Sequence, residues 1–264
     1  MNPKPEIAEK VLSLLRKWGW EKGLEQLKAE IKSTKDQNRR APLHIFVAWL
    51  SGERDASKEA AAQFQGVPQY PAMTGWALTV QAFIALRKNA YAQALELLNQ
   101  ALSRGDSGDS ILRATIHHCY GSALFQEGQP ETALSHLHEA IRLLGKDHFA
   151  TGRVLDTLAT VYDGKDNLYA AREFYEKAIE IKQRLEDEAG IALSHGQLGR
   201  LYLDWGYLER AEKEFLADLE ISERVNDARS VAQMYNFLGR VAYSSGRIDD
   251  AVAWLDQCIE RSQK

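Results

Sequence analysis

The chain has 264 residues, 45% of them apolar and 27% charged, with a net charge of −4 at pH 7. That balance suits a folded soluble protein and leaves no basic footprint for nucleic acid. No apolar run reaches the ~20 residues that a membrane-spanning helix needs, and the opening MNPKPEIAEK has no apolar signal core. The two cysteines, Cys119 and Cys258, fall in separate helical stretches, which predicts reduced thiols in a cytoplasmic protein rather than a disulfide framework.

Residues 1–70 read as helical but irregular. EIAEKVLSLLRKWGWEKGLEQLKAEIKS carries apolar residues at helical spacing, interrupted at Gly19, with Gly23 as a small packing position. HIFVAWLSGERDASKEAAAQF reads as a second hairpin turning near Gly52 to Asp55, joined to the first by the polar STKDQNRRAP. These are two degenerate hairpins, or a cap on the more regular part of the chain. GVPQYP then makes a break.

From residue 71 a repeat emerges. A small residue recurs as Ala94, Ala133, Ala171, Ala211 and Ala251, at steps of 38–40 residues. Twelve residues before each stands another small one: Ala82, Gly121, Ala159, Gly199 and Gly239. Five before each alanine stands a turn residue: Asn89, Gly128, Asp166, Gly206 and Gly246. Four after it stands a large apolar one: Leu98, Leu137, Tyr175, Phe215 and Leu255. Coincidence at four positions in five copies predicts five helix hairpins, about 71–109, 110–147, 148–187, 188–227 and 228–264, in which alternating large and small residues let paired helices approach closely. Asp109, Asp147, Asp187 and Asp227 each fall 24 residues before the next alanine, where a carboxylate caps the free N–H groups of the coming helix.

The set of small residue, aromatic, glycine turn and alanine resembles the tetratricopeptide repeat (TPR), whose usual period is ~34 residues. The longer period and connectors such as RLEDEAGIA and RVNDARSVA resemble the 40-residue repeats of Pins/LGN adaptors, kinesin light chain and MalT-type regulators. The resemblance implies an all-α fold: an α-solenoid of about seven antiparallel hairpins, five clear and two degenerate, wound as a right-handed superhelix with a concave inner face. It also implies that the first helix of each repeat lines that face. Carried over position by position, the partner-binding groove comprises Trp76, Phe83, His118, Phe125, Arg153, Arg200, Asn236, Arg240 and Tyr243, with Asp156, Asp163 and Asp204 also facing inward. Arg200 and Arg240 hold equivalent positions; they either clamp a peptide's carbonyls and carboxylates or pair internally with Asp163 and Asp204. Asp218 departs from the pattern, standing where earlier repeats have Ala101, Ala140 and Ala178; a carboxylate there is costly unless exposed or paired.

No catalytic constellation, phosphate loop or HExxH motif occurs. His117, His118 and Cys119 are consecutive and point in different directions, about 100° apart on a helix; His136 and His138 do not share a face, so no metal site is expected. Glu176, Glu180, Lys177 and Lys182 read as a solvated helix surface. The expected function is a non-catalytic scaffold without cofactors, binding a protein or peptide in its groove. The alternative is a sensor region of a larger signalling protein, contacting that protein's other domains.

Overall fold

A computed structural model describes residues 25–35, 43–44, 47, 74–104, 109–145 and 148–262. Residues 25–33 are helical and bury Leu27 and Ile31, one turn apart. Leu43, His44 and Val47 are also helical, with Leu43 and Val47 buried; the remainder of the two degenerate hairpins, with the expected turns at Gly19 and at Gly52 to Asp55, lies outside the described residues.

Ten helices come after it, and no strand occurs among the described residues. Contacts divide the chain into two units, 1–145 and 146–264. The first contains α1 (Thr74–Arg87), α2 (Tyr91–Arg104), α3 (Ser110–Gln126) and α4 (Pro130–Leu144). The second contains α5 (Phe149–Asp163), α6 (Leu168–Arg184), α7 (Glu188–Asp204), α8 (Leu208–Arg224), α9 (Ala228–Ser244) and α10 (Ile248–Ser262). Successive helices pair as hairpins: α1 with α2, α3 with α4, α5 with α6, α7 with α8 and α9 with α10. Within each unit the second helix of a hairpin also packs on the first helix of the next, α2 on α3, α6 on α7 and α8 on α9.

The backbone explains the repeat. All five expected turn residues, Asn89, Gly128, Asp166, Gly206 and Gly246, have φ between 57° and 78°, the left-handed region that glycine, asparagine and aspartate tolerate best. Asp109, Asp187 and Asp227 accept from Leu112 N, Gly190 N and Ser230 N, as caps should. At α5 the cap is His148, whose Nδ1 accepts from Ala150 N at 3.2 Å; Asp147 lies outside the described residues.

Small and large positions meet inside the hairpins. A Cβ added to Gly121 would lie 2.5 Å from the Leu137 side chain, and one on Gly199 would lie 2.7 Å from the Phe215 ring. Phe215 is fully buried and stacks on Phe237 of α9, ring centroids 4.8 Å apart and planes within 4°. Burial of such a ring contributes about 1.5–3 kcal/mol. On α10, Ile248, Val252, Leu255 and Ile259 remain exposed.

Two polar residues contradict the surface pattern. Lys182, expected on a solvated helix face, is completely buried. Its ammonium donates to Asp156 Oδ2, to Ser194 Oγ at 2.6 Å and to the Gly190 carbonyl at 3.1 Å, and Ser194 Oγ donates to Asp156 Oδ1 at 2.7 Å. Asp156, expected in the groove, is 5% exposed. Burial pushes its carboxyl above the ordinary range, against the pull of the Lys182 ammonium and the Ser194 hydroxyl. The network bolts α5, α6 and α7 together. Its lysine stem runs over Gly152, where a Cβ would come within 2.9 Å of Lys182 Cγ and Cε.

Removing one partner of a buried pair strands the other charge. Lys182→Ala should therefore lower unfolding stability by about 3–5 kcal/mol. The double replacement Asp156→Leu/Lys182→Met, which removes both charges, should recover most of that loss in urea titration. Gly199→Ala should cost about 1–3 kcal/mol by overpacking, because the Phe215 ring it strikes is held from the other side by Phe237.

Candidate functional site

The first helices of successive hairpins contact one another within each unit, α1 with α3, α5 with α7 and α7 with α9. Residues at equivalent repeat positions on them therefore lie side by side. In the C-terminal unit this row carries Arg153 on α5, Arg200 on α7, and Asn236, Arg240 and Tyr243 on α9. Arg200, Asn236 and Arg240 are exposed, Tyr243 is 69% exposed, and Arg153 is half-buried. Among the described residues Arg200 and Arg240 make no ion pair. Arg240 lies over the Phe237 ring, 5.4 Å from its centroid.

The expected internal partners are otherwise placed. Asp163 Oδ1 accepts from Trp205 Nε1 at 3.2 Å, tying the end of α7 to the end of α5. Asp204 is exposed and makes no ion pair among the described residues. Thr160, one repeat before Arg200, shares a 3.0 Å hydrogen bond with the Tyr175 hydroxyl, and burial pushes that phenol up to about 12. The row thus presents guanidinium groups on α7 and α9 that make no ion pair among the described residues.

In the N-terminal unit Phe83 and Phe125 are half-buried against the core, and His118 is half-buried. Trp76 is buried, 6% exposed, and donates Nε1 to Asp109 Oδ2 at 3.0 Å while Asp109 Oδ1 caps α3. One carboxylate therefore anchors α1 and starts α3.

Sequence spacing missed two histidine contacts. His117 and His136 meet across the α3–α4 hairpin, Nδ1 to Nδ1, at 2.9 Å, with Tyr120 stacked on His136. Burial lowers both imidazole pKa values, and at His117 the neighbouring His136 lowers it further. His195 Nδ1 meets Glu214 Oε2 at 2.7 Å between α7 and α8. Both pairs are 19 residues apart in the chain. That recurring separation across a hairpin was the available signal. Among the described residues no group of three or more His, Cys, Asp or Glu converges to hold a metal ion, and no helix is long and apolar enough to cross a membrane.

A family model described as the MalT-like TPR region matches residues 75–264. The chain belongs to the MalT-like TPR family. Among curated proteins none matches the sequence significantly. Solved TPR structures share its fold. BtubC from P. vanneervenii is 20% identical, with 83% of this chain and 91% of that one covered at a TM-score of 0.64. A Rap protein complexed with competence and sporulation factor is 14% identical, with 91% and 66% covered at 0.58. A Pyrococcus horikoshii signal-transduction ATPase with a tetratricopeptide repeat sensor is 12% identical, with 86% of this chain but 36% of that one covered at 0.63. At these identities the likeness is one of fold.

In this MalT-like TPR array the frame and the exposed row are separable. Arg200 and Arg240 are exposed and make no ion pair among the described residues, so the double variant Arg200→Ala/Arg240→Ala should change unfolding stability by no more than about 0.5 kcal/mol. Thermal and urea melts beside the wild type check this.

Proposed function

We propose that the chain is a non-catalytic interaction module that holds an extended peptide or protein segment along the first-helix row, with Arg200 and Arg240 as its anion-binding pair. The observation that carries this reading is the pair itself: two exposed guanidiniums at equivalent positions of adjacent repeats, without ion-pair partners among the described residues. Arginine presents a planar fork suited to carboxylates. Asn236, one turn before Arg240, adds an amide that can both donate to and accept from a peptide backbone. Packed helices stand about 8–10 Å apart, and a peptide in the extended polyproline II conformation advances about 3.1 Å per residue with about three residues per turn, so that every third side chain returns to the same face. Carboxylates three residues apart on the ligand therefore match the two arginines. The remaining residues proposed for the groove, Trp76, Phe83, His118, Phe125, Arg153 and Tyr243, would contribute contact surface around that pair.

A second reading, a sensor region in a larger signalling protein, is favoured by the MalT-like match and by the repeat-sensor ATPase, of which the chain spans about a third. In that reading the occupied row is the input, and another domain of the same protein is the partner that reads it. A cytoplasmic setting fits either version.

The deciding experiment is fluorescence anisotropy with twelve-residue synthetic peptides carrying two glutamates three residues apart, against the same peptides with glutamines. Wild type should prefer the glutamate series, and binding should weaken as salt rises. Arg200→Ala/Arg240→Ala should lose at least about tenfold in affinity, the equivalent of 1.4 kcal/mol. Equal binding by wild type and double variant would show that the row has been misassigned.

A further inference from the structure

Two joints in the C-terminal unit follow one plan and differ by a charge. The joint of α5 and α6 with α7 contains both a carboxylate, Asp156, and an ammonium, Lys182. The joint of α7 and α8 with α9 contains a carboxylate alone. In repeat register Gly196 replaces Asp156, Ser222 replaces Lys182 and Met234 replaces Ser194. Asp218 of α8 fills the room left by Gly196: a Cβ there would lie 2.4 Å from Asp218 Oδ2 and 3.4 Å from Met234 Cε.

Asp218 is 3% exposed, and Ser222 Oγ donates to its Oδ1 at 2.7 Å. The other groups facing it do not offset its burial. From α7 comes His195, which favours the ionised carboxylate but is already engaged by Glu214 of α8. At the start of α9 stands Asp227, a like charge occupied in capping its own helix through Ser230 N. Further out, Arg224 pairs with Glu188, and the Tyr235 hydroxyl donates to Glu223. Among the described residues no ion pair reaches Asp218. An ionised carboxylate is expensive in such a place, whereas a protonated one costs far less.

We propose that Asp218 makes the joint between α8 and α9 a proton-operated hinge: the α9–α10 hairpin seats fully while Asp218 holds its proton and loosens when the proton leaves. Burial supports this by raising the carboxyl to about 7. The folded chain then binds more protons than the unfolded chain between the ordinary carboxylate range and about 7. The joint is firmest at the acid end of that window, weakens as pH rises through it, and changes little above it. Arg200 rides on α7, while Asn236 and Arg240 ride on α9, so the hinge also sets the separation of the proposed anion-binding pair. Only this last consequence rests on the function proposed above.

The test is hydrogen exchange of the full chain, read by mass spectrometry from pH 5.5 to 8.5 and corrected for intrinsic exchange. In wild type, protection of α9 should fall about tenfold across the range while protection of α6 and α7 at the Lys182 joint stays level. Asp218→Asn should keep the acid-level protection of α9 throughout, and His195→Gln should retain the wild-type fall. A wild type with no fall overturns the proposal. So does a fall that persists in Asp218→Asn or vanishes in His195→Gln. Since no peptide enters this experiment, its failure leaves the arginine pair standing, and failure of the peptide experiment leaves the hinge standing.

Discussion

Each hairpin is set by how near its two helices can come. Where the small position is glycine, not even a methyl group fits between the backbone of one helix and the large side chain of the other, as Gly121 and Leu137 or Gly199 and Phe215 show. Close approach fixes which face of each helix turns inward. It thereby fixes which residues of the first helix remain on the outside of the pair. The large residue is also shared: Phe215 fills its own hairpin and stacks on Phe237 of the next, so packing within a repeat and between repeats are not independent.

Polar groups enter this apolar frame at the joints. At one joint four polar groups satisfy one another, Asp156, Lys182, Ser194 and the Gly190 carbonyl. A buried network of that kind adds less to net stability than to specificity, because any other register leaves charges unpaired. At the next joint the acid has moved from the first helix to the second, and the base is gone. Within one unit the same architectural position therefore holds a fixed bolt and a titratable contact.

The frame was legible in the sequence because every repeat must meet the same demands at the same positions. Asn89, Gly128, Asp166, Gly206 and Gly246 recur because the turn requires positive φ, and Asp109, Asp187 and Asp227 recur because a helix start requires an acceptor. Features that occur once are harder to read. Lys182 reads as solvated because lysine usually is, and its burial depends on Gly152, Asp156 and Ser194 from two other helices. Asp156 shares the inward register of its row, yet the lysine behind it draws it under the surface. Trp76 likewise stands in the row but spends its indole N–H on Asp109. Arg200 and Arg240 were legible as an equivalent pair; their freedom from Asp163 and Asp204 needed coordinates.

The burial of Asp156 has an evolutionary side. Its counterparts one and two repeats later are Gly196 and Asn236, and Asn236 is exposed. A repeat array diversifies by exchanging residues on its exposed row while leaving the frame alone. At Asp156 that freedom is lost, since a change made to suit a new partner would strand Lys182. Selection can rewrite α9 at this position one residue at a time, but α5, and α7 at Gly196 where Asp218 fills the space, only by several changes together. New recognition at this position should therefore accumulate toward the last hairpin of the unit, with the third repeat retained as an inherited hub.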